Sequence, residues 1–154
     1  MSVLIILGSK SDLEVGKKAK NILDQFKIEN KMVVASAHRT SRHLVETVEK
    51  SQADVFIAVA GLSAALPGAV AAQTTKPVIG VPVSGKVNLD SILSIVQMPP
   101  GIPVAAVGLD RGENAALLAV EILALSDKTL AKNLKKHRLK LLEWTLEDSK
   151  SLGD

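Results

Sequence analysis

The chain has 154 residues, 47% of them hydrophobic and only 2% aromatic, with a net charge of +3 and no cysteine. That length suits one domain with a substantial core. The composition excludes aromatic platforms for stacking single-stranded nucleic acid, and it excludes disulfide frameworks and thiolate metal sites.

Much of the basic excess sits in Lys132, Lys135, Lys136, Arg138 and Lys140. These fall on a late predicted helix and read as a solvated face rather than a nucleic-acid patch. The apolar run Val3 to Leu7 is ended by Gly8, too soon for a secretory signal. No apolar run approaches the ~18 residues that span a bilayer. A cytoplasmic protein without membrane contact is expected.

Val3-Leu4-Ile5-Ile6-Leu7 reads as a first strand, apolar throughout as when helices cover both faces of a sheet. Gly8-Ser9-Lys10-Ser11-Asp12 follows, with Asp12 suited to cap a helix. Val15, Ala19, Ile22, Leu23 and Phe26 then recur at helical spacing. A hydroxyl-rich loop over a helix N-terminus can attract phosphate through backbone N–H groups. Ordinary turn chemistry with capping accounts for the same residues.

Met32-Val33-Val34-Ala35 reads as a buried second strand. It runs into Ser36-Ala37-His38-Arg39-Thr40, and Leu44, Val45 and Val48 then mark a helix. His38 and Arg39 therefore stand at the carboxyl end of a strand, the edge where open parallel sheets bind ligands. Histidine exchanges protons near neutral pH, and arginine offers a planar fork for phosphate or carboxylate. His43 falls on the solvated side of the helix.

Asp54 to Val59 is a third strand, opening into the small, apolar loop Ala60 to Gly68. Pro67 suits the first turn of a helix over Gly68 to Gln73. A flexible lid and a packed turn are both compatible with that loop. Pro77 to Val83 reads as a fourth strand, Leu89 to Val96 as a helix, and Val104 to Val107 as a short fifth strand. Glu113 to Leu125 is an alanine- and leucine-rich helix. A last helix runs from Asp127 to about Lys150, with Leu130, Leu134, Leu141 and Leu142 as its stripe. This helix would either cover the sheet or reach onto another subunit, and Trp144 would be the anchor at such an interface.

Strand and helix thus alternate five times, which predicts a doubly wound α/β fold: a five-stranded parallel sheet, helices on both faces, order 2-1-3-4-5, plus a long C-terminal helix. One domain is expected over residues 1–154. The loops after the first three strands then converge on one crevice.

Gly8-Ser9-x-Ser11-Asp12, Ser36-Ala37-His38-Arg39-Thr40, Ala60-Gly61, Leu66-Pro67-Gly68 and Asp90-Ser91-Ile92-Leu93-Ser94-Ile95-Val96-Gln97-Met98-Pro99 together resemble the PurE family of purine biosynthesis. Val104-Ala105 and Asn114 to Ala119 extend the match. The resemblance implies a flavodoxin-like fold, an octamer and no metal or organic cofactor. It implies conversion of N5-carboxyaminoimidazole ribonucleotide to 4-carboxy-5-aminoimidazole ribonucleotide, as in class I members. Class II members instead carboxylate aminoimidazole ribonucleotide directly with CO2.

Carried over, His38 would be the general acid and base. Ser9, Ser11 and Asp12 would hold the ribose phosphate end and Arg39 would pair with the phosphate. Gly8, Ser36, Ala37, Ala60, Gly61 and Leu66 would line the substrate site. The Asp90 to Met98 run would line the ring pocket or come from a neighbouring subunit.

The chain departs from the family in one loop. Class I usually reads Gly-Gly-Ala-Ala-His-Leu-Pro-Gly where this chain has Gly61-Leu62-Ser63-Ala64-Ala65-Leu66-Pro67-Gly68, so Ala65 stands for the loop histidine. Ser63 resembles the class II loop, whereas Arg39 resembles class I, and Ser41 replaces a proline. A phosphoacceptor signalling module on the same fold would need clustered acids after the first strand and an aspartate after the third. Ser9, Ser11 and Ala60-Gly61 disfavour it.

Overall fold

The computed structural model describes residues 1–152. Five strands form one parallel sheet: β1 (Ser2–Leu7), β2 (Glu29–Val34), β3 (Val55–Ala60), β4 (Val78–Pro82) and β5 (Ala105–Ala106). Their spatial order is β2-β1-β3-β4-β5, as expected for a doubly wound chain. The helices are α1 (Leu13–Gln25), α2 (Ser41–Glu49), α3 (Leu66–Ala71), α4 (Asn88–Val96), α5 (Gly112–Ala124) and α6 (Lys128–Ser151). Among the described residues, no helix is long and apolar enough to cross a membrane.

Side chains of β1 and β3 alternate between two cores, which explains why both strands are apolar throughout. Val3, Ile5, Leu7, Val55, Ile57 and Val59 pack with α1 and α5 on one face. Leu4, Ile6, Phe56, Ala58 and Ala60 pack with α2, α3 and α4 on the other. Helix α1 lies directly on α5: a Cβ at Gly112 would collide with the Val15 carbonyl oxygen and stand 3.2 Å from the Ala19 amide nitrogen.

Both edges depart from expectation. Strand β2 begins three residues earlier than Met32 and is not buried, with Val34 51% exposed. It pairs only with β1 and so lacks cover on its outer side. Strand β5 is reduced to two exposed residues, held by Ile79↔Ala105 and Gly80↔Ala106. Helix α3 starts at Leu66, two residues before the predicted Gly68, with Pro67 in its first turn.

Helix α6 is fastened over its first half among the described residues. Asp127 caps it by accepting from the Thr129 and Leu130 amides, at 2.8 and 3.0 Å. Leu130 is buried, His137 meets Phe26 edge-on at 5.5 Å, and Arg138 pairs with Glu121 at 2.8 Å. Beyond Arg138 the predicted stripe is uncovered, and Leu141, Leu142 and Trp144 are exposed.

Candidate active site

At the carboxyl edge of the sheet, the loops after β1, β2 and β3 enclose a cavity of about 470 Å³. Its lining includes Gly8, Ser9, Ser11, Asp12, Ser36, Ala37, His38, Arg39, Ala60, Gly61 and Leu66, so the expected residues of the first three loops are brought together. Leu62, Ser63, Ala64 and Ala65 complete it. The order places β1 between β2 and β3, so chain connections leave in opposite directions around β1 and open the crevice there.

Each loop is braced by its own side chains. In the first, the Asp12 carboxylate accepts the Ser9 amide at 2.9 Å and the Ser11 hydroxyl at 3.2 Å. The Ser9 hydroxyl in turn accepts the Ser11 amide at 3.4 Å. Asp12 therefore closes a capping box with Ser9 around the 3-10 turn Lys10–Asp12, and does not cap α1 as its position suggested. The Ser9, Ser11 and Asp12 amides are all engaged internally, the turn chemistry that was one of the two readings of this loop, so they are not open phosphate donors. The Ser9 hydroxyl accepts within the loop and the Ser11 hydroxyl donates to Asp12, so both are oriented by the loop's own bonds.

Asp12 is buried, and burial raises its carboxyl above the ordinary aspartate value. The Ser11 hydroxyl, the Ser9 amide and the charge of Arg39 oppose that rise. These contacts offset only part of the cost of burying the carboxylate, which still leaves it harder to ionise than a solvated aspartate.

The second loop is a turn bracketed by Ser36 and Thr40. The Thr40 hydroxyl accepts the Ser36 amide at 2.8 Å, and the Thr40 amide donates to the Ser36 carbonyl at 3.2 Å. This use of its hydroxyl explains why Thr40 makes no cap bond to α2. The Ser36 hydroxyl accepts from the Arg39 amide at 3.2 Å and from Arg39 Nε at 3.4 Å. Arg39 Nη2 then reaches across to the Gly8 carbonyl at 2.9 Å, tying the second loop to the first. The bracket presents His38 at the turn, exposed toward the cavity.

The third loop carries backbone strain that sequence reasoning missed. Leu62 has φ 53° and Ala64 has φ 29°, both in the left-handed region that favours glycine. The Ala64 amide closes the turn onto the Gly61 carbonyl at 3.0 Å, and Leu62 is 80% exposed. Strain of this kind gathers at functional sites. The only cue in the sequence was the family's glycine at the position of Leu62.

The Asp90 to Met98 run does not line this cavity. Ser91 is buried, donating to the Val83 carbonyl at 3.3 Å and the Asn88 carbonyl at 3.1 Å, while Met98 lies over Gly68. Its expected place in the ring pocket of the same chain is therefore not seen. A second cavity, of about 480 Å³, lies at the opposite edge beside Ser2, Glu29, His43 and Glu46. Lys50 pairs with Glu46 there at 3.4 Å, and His43 is exposed on its helix as expected. The carboxyl-edge cavity is the one at the reversal of strand order, where doubly wound sheets bind ligands.

A doubly wound sheet with its crevice at the strand-order reversal defines a flavodoxin-like α/β protein with a small-molecule site. Comparison with known proteins narrows this. A family model described as AIR carboxylase matches residues 2–143, and the chain belongs to that family. An N5-carboxyaminoimidazole ribonucleotide mutase of Methanocaldococcus jannaschii is 61% identical over 140 residues, covering 90% of this chain and 89% of the relative. A Bacillus subtilis protein of the same name is 46% identical, covering 96% of each. The crystal structure of Treponema denticola PurE superimposes with a TM-score of 0.89 at 33% identity, over 99% of this chain and 98% of that one.

Proposed function

We propose that this chain is an isomerase of purine biosynthesis that converts N5-carboxyaminoimidazole ribonucleotide to 4-carboxy-5-aminoimidazole ribonucleotide. One observation carries the reading: a single histidine without a hydrogen-bonded partner shares a braced loop and a cavity with an arginine fork. Relatives named as that mutase, at 61% and 46% identity, support it.

In this reading His38 protonates the carbamate nitrogen. The C–N bond then breaks and releases CO2 into the cavity. The enamine-like C4 attacks the carbon of CO2, and His38 takes the C4 proton, so the proton given is recovered and the reaction is a net isomerisation. Ala37, Ala60, Gly61 and Leu66 form the small apolar wall that confines CO2. Arg39 pairs with the phosphate, and Ser9, Ser11 and Asp12 hold the ribose phosphate end, with Gly8 and Ser36 shaping the floor. The step requires no external redox partner.

Direct carboxylation of aminoimidazole ribonucleotide is the competing reading, and the carboxyl source separates the two. The test is the rate of C4-carboxylated product formed from the carbamate substrate. Steady conversion supports the mutase, and turnover only from aminoimidazole ribonucleotide with bicarbonate overturns it.

Arg39→Ala is expected to raise KM about ten- to a hundredfold with a smaller effect on kcat, the loss typical of a hydrogen bond to a charged group. Arg39→Lys should recover only part, because an ammonium lacks the bidentate fork. An unchanged KM in Arg39→Ala would count against the phosphate role.

The protein works, in the same proposal, as one domain over residues 1–154 in a cytoplasmic homo-octamer, although residues 153 and 154 lie outside the described ones. The uncovered Leu139, Leu142, Trp144 and Leu146 of α6 and Leu89, Leu93 and Val96 of α4 support self-association. The Asp90 to Met98 run would then serve a neighbouring subunit.

A further inference from the structure

We propose that the Ser63 hydroxyl positions the migrating carboxyl group, donating a hydrogen bond to one of its oxygens as CO2 passes from nitrogen to carbon. This rests on the mutase reading above.

The polar side chains of the cavity divide into two sets. Ser9, Ser11, Asp12, Ser36 and Arg39 are engaged with one another or with backbone. His38 and Ser63 make no side-chain hydrogen bond among the described residues, and both line the cavity. Ser63 is also the single polar side chain between Ala60 and Leu66, so it is the third loop's only side-chain donor. The loop spends backbone strain to present it. Leu62 and Ala64, on either side, are both left-handed, and the Ala64 amide to Gly61 carbonyl bond at 3.0 Å sets Ser63 at an exposed tip.

The chemistry calls for a donor there. CO2 is neutral, and negative charge develops on its oxygens as its carbon bonds to C4. A hydroxyl aimed at those oxygens stabilises that charge and not the departing CO2. No bond forms to Ser63, and its proton stays on Oγ. His38 handles the substrate's protons while Ser63 handles the carboxyl oxygens.

The experiment follows N5-carboxyaminoimidazole ribonucleotide with full-length enzyme. It measures the ratio of released aminoimidazole ribonucleotide to C4-carboxylated product, corrected for spontaneous decarboxylation. Ser63→Ala is expected to raise that ratio about tenfold, as for loss of one productive hydrogen bond, with KM within twofold of wild type. Ser63→Thr, which keeps a hydroxyl, should retain the wild-type ratio. A wild-type ratio in Ser63→Ala, whatever its total rate, overturns the proposal. Equal leakage from both variants also overturns it, because the effect would not belong to the hydroxyl. A wild-type enzyme that makes no product from the carbamate defeats the mutase reading instead, and is distinguished by that control.

Discussion

Replacing His38 by asparagine is expected to lower kcat by about 10²- to 10⁴-fold, the span ascribed to a positioned general acid or base. Stability and substrate affinity should change little. The turn that carries His38 is closed by Ser36, Arg39 and Thr40, and the His38 side chain contributes no hydrogen bond to it among the described residues. Asparagine fits the same exposed position and can still accept or donate a hydrogen bond, but it does not exchange a proton near neutral pH. Steady-state kinetics beside a thermal melt separates the effects. A variant that retains turnover would remove His38 from the chemistry, and one with a much lower melting temperature would show that the imidazole holds the loop.

The second large effect is on folding. Gly112→Ala is expected to destabilise the protein by at least about 3 kcal/mol, the upper part of the range for overpacking a close-packed contact. Its Cβ would meet the Val15 carbonyl oxygen and lie 3.2 Å from the Val15 carbonyl carbon and the Ala19 amide nitrogen. All three are backbone atoms within α1 and cannot rotate aside, so the two helices must separate. For a chain this size, each kcal/mol corresponds to roughly 2–4 °C in Tm, so a fall of at least about 6 °C is predicted. Gly85→Ala is the matched control, because a Cβ there meets nothing within 4 Å. It should stay within about 0.5 kcal/mol of wild type. Equal melting temperatures for the two variants would contradict the close approach of α1 and α5.

The sheet was legible because β1, β3 and β4 are apolar runs bounded by turn residues, and because alternation of strands and helices leaves few topologies. The edges were not. Glu29, Asn30 and Lys31 are polar because β2 has one uncovered side, so a search for apolar runs found only its second half. For β5, Val104 to Val107 looked like a strand, yet an edge position leaves only Ala105 and Ala106 paired.

In the site, Ser36, His38 and Arg39 were legible by residue type and by their place after a strand. Their bracing by Thr40 and the Arg39 link to Gly8 are long- and medium-range bonds with no periodic signature. The inward turn of the Ser9 and Ser11 amides depends on their being accepted by the Asp12 carboxylate and the Ser9 hydroxyl, and residue spacing alone favoured a helix cap. The left-handed Leu62 was least accessible of all, since leucine carries no preference for that region.

The most direct test of the central claim uses N5-carboxyaminoimidazole ribonucleotide labelled in its carboxyl group, with excess unlabelled bicarbonate in solution. The mutase reading predicts that most of the label appears at C4 of the product, because CO2 passes from nitrogen to carbon without leaving the cavity. Product carrying bicarbonate-derived carbon throughout, formed equally fast from aminoimidazole ribonucleotide, would contradict it and make the protein a direct carboxylase.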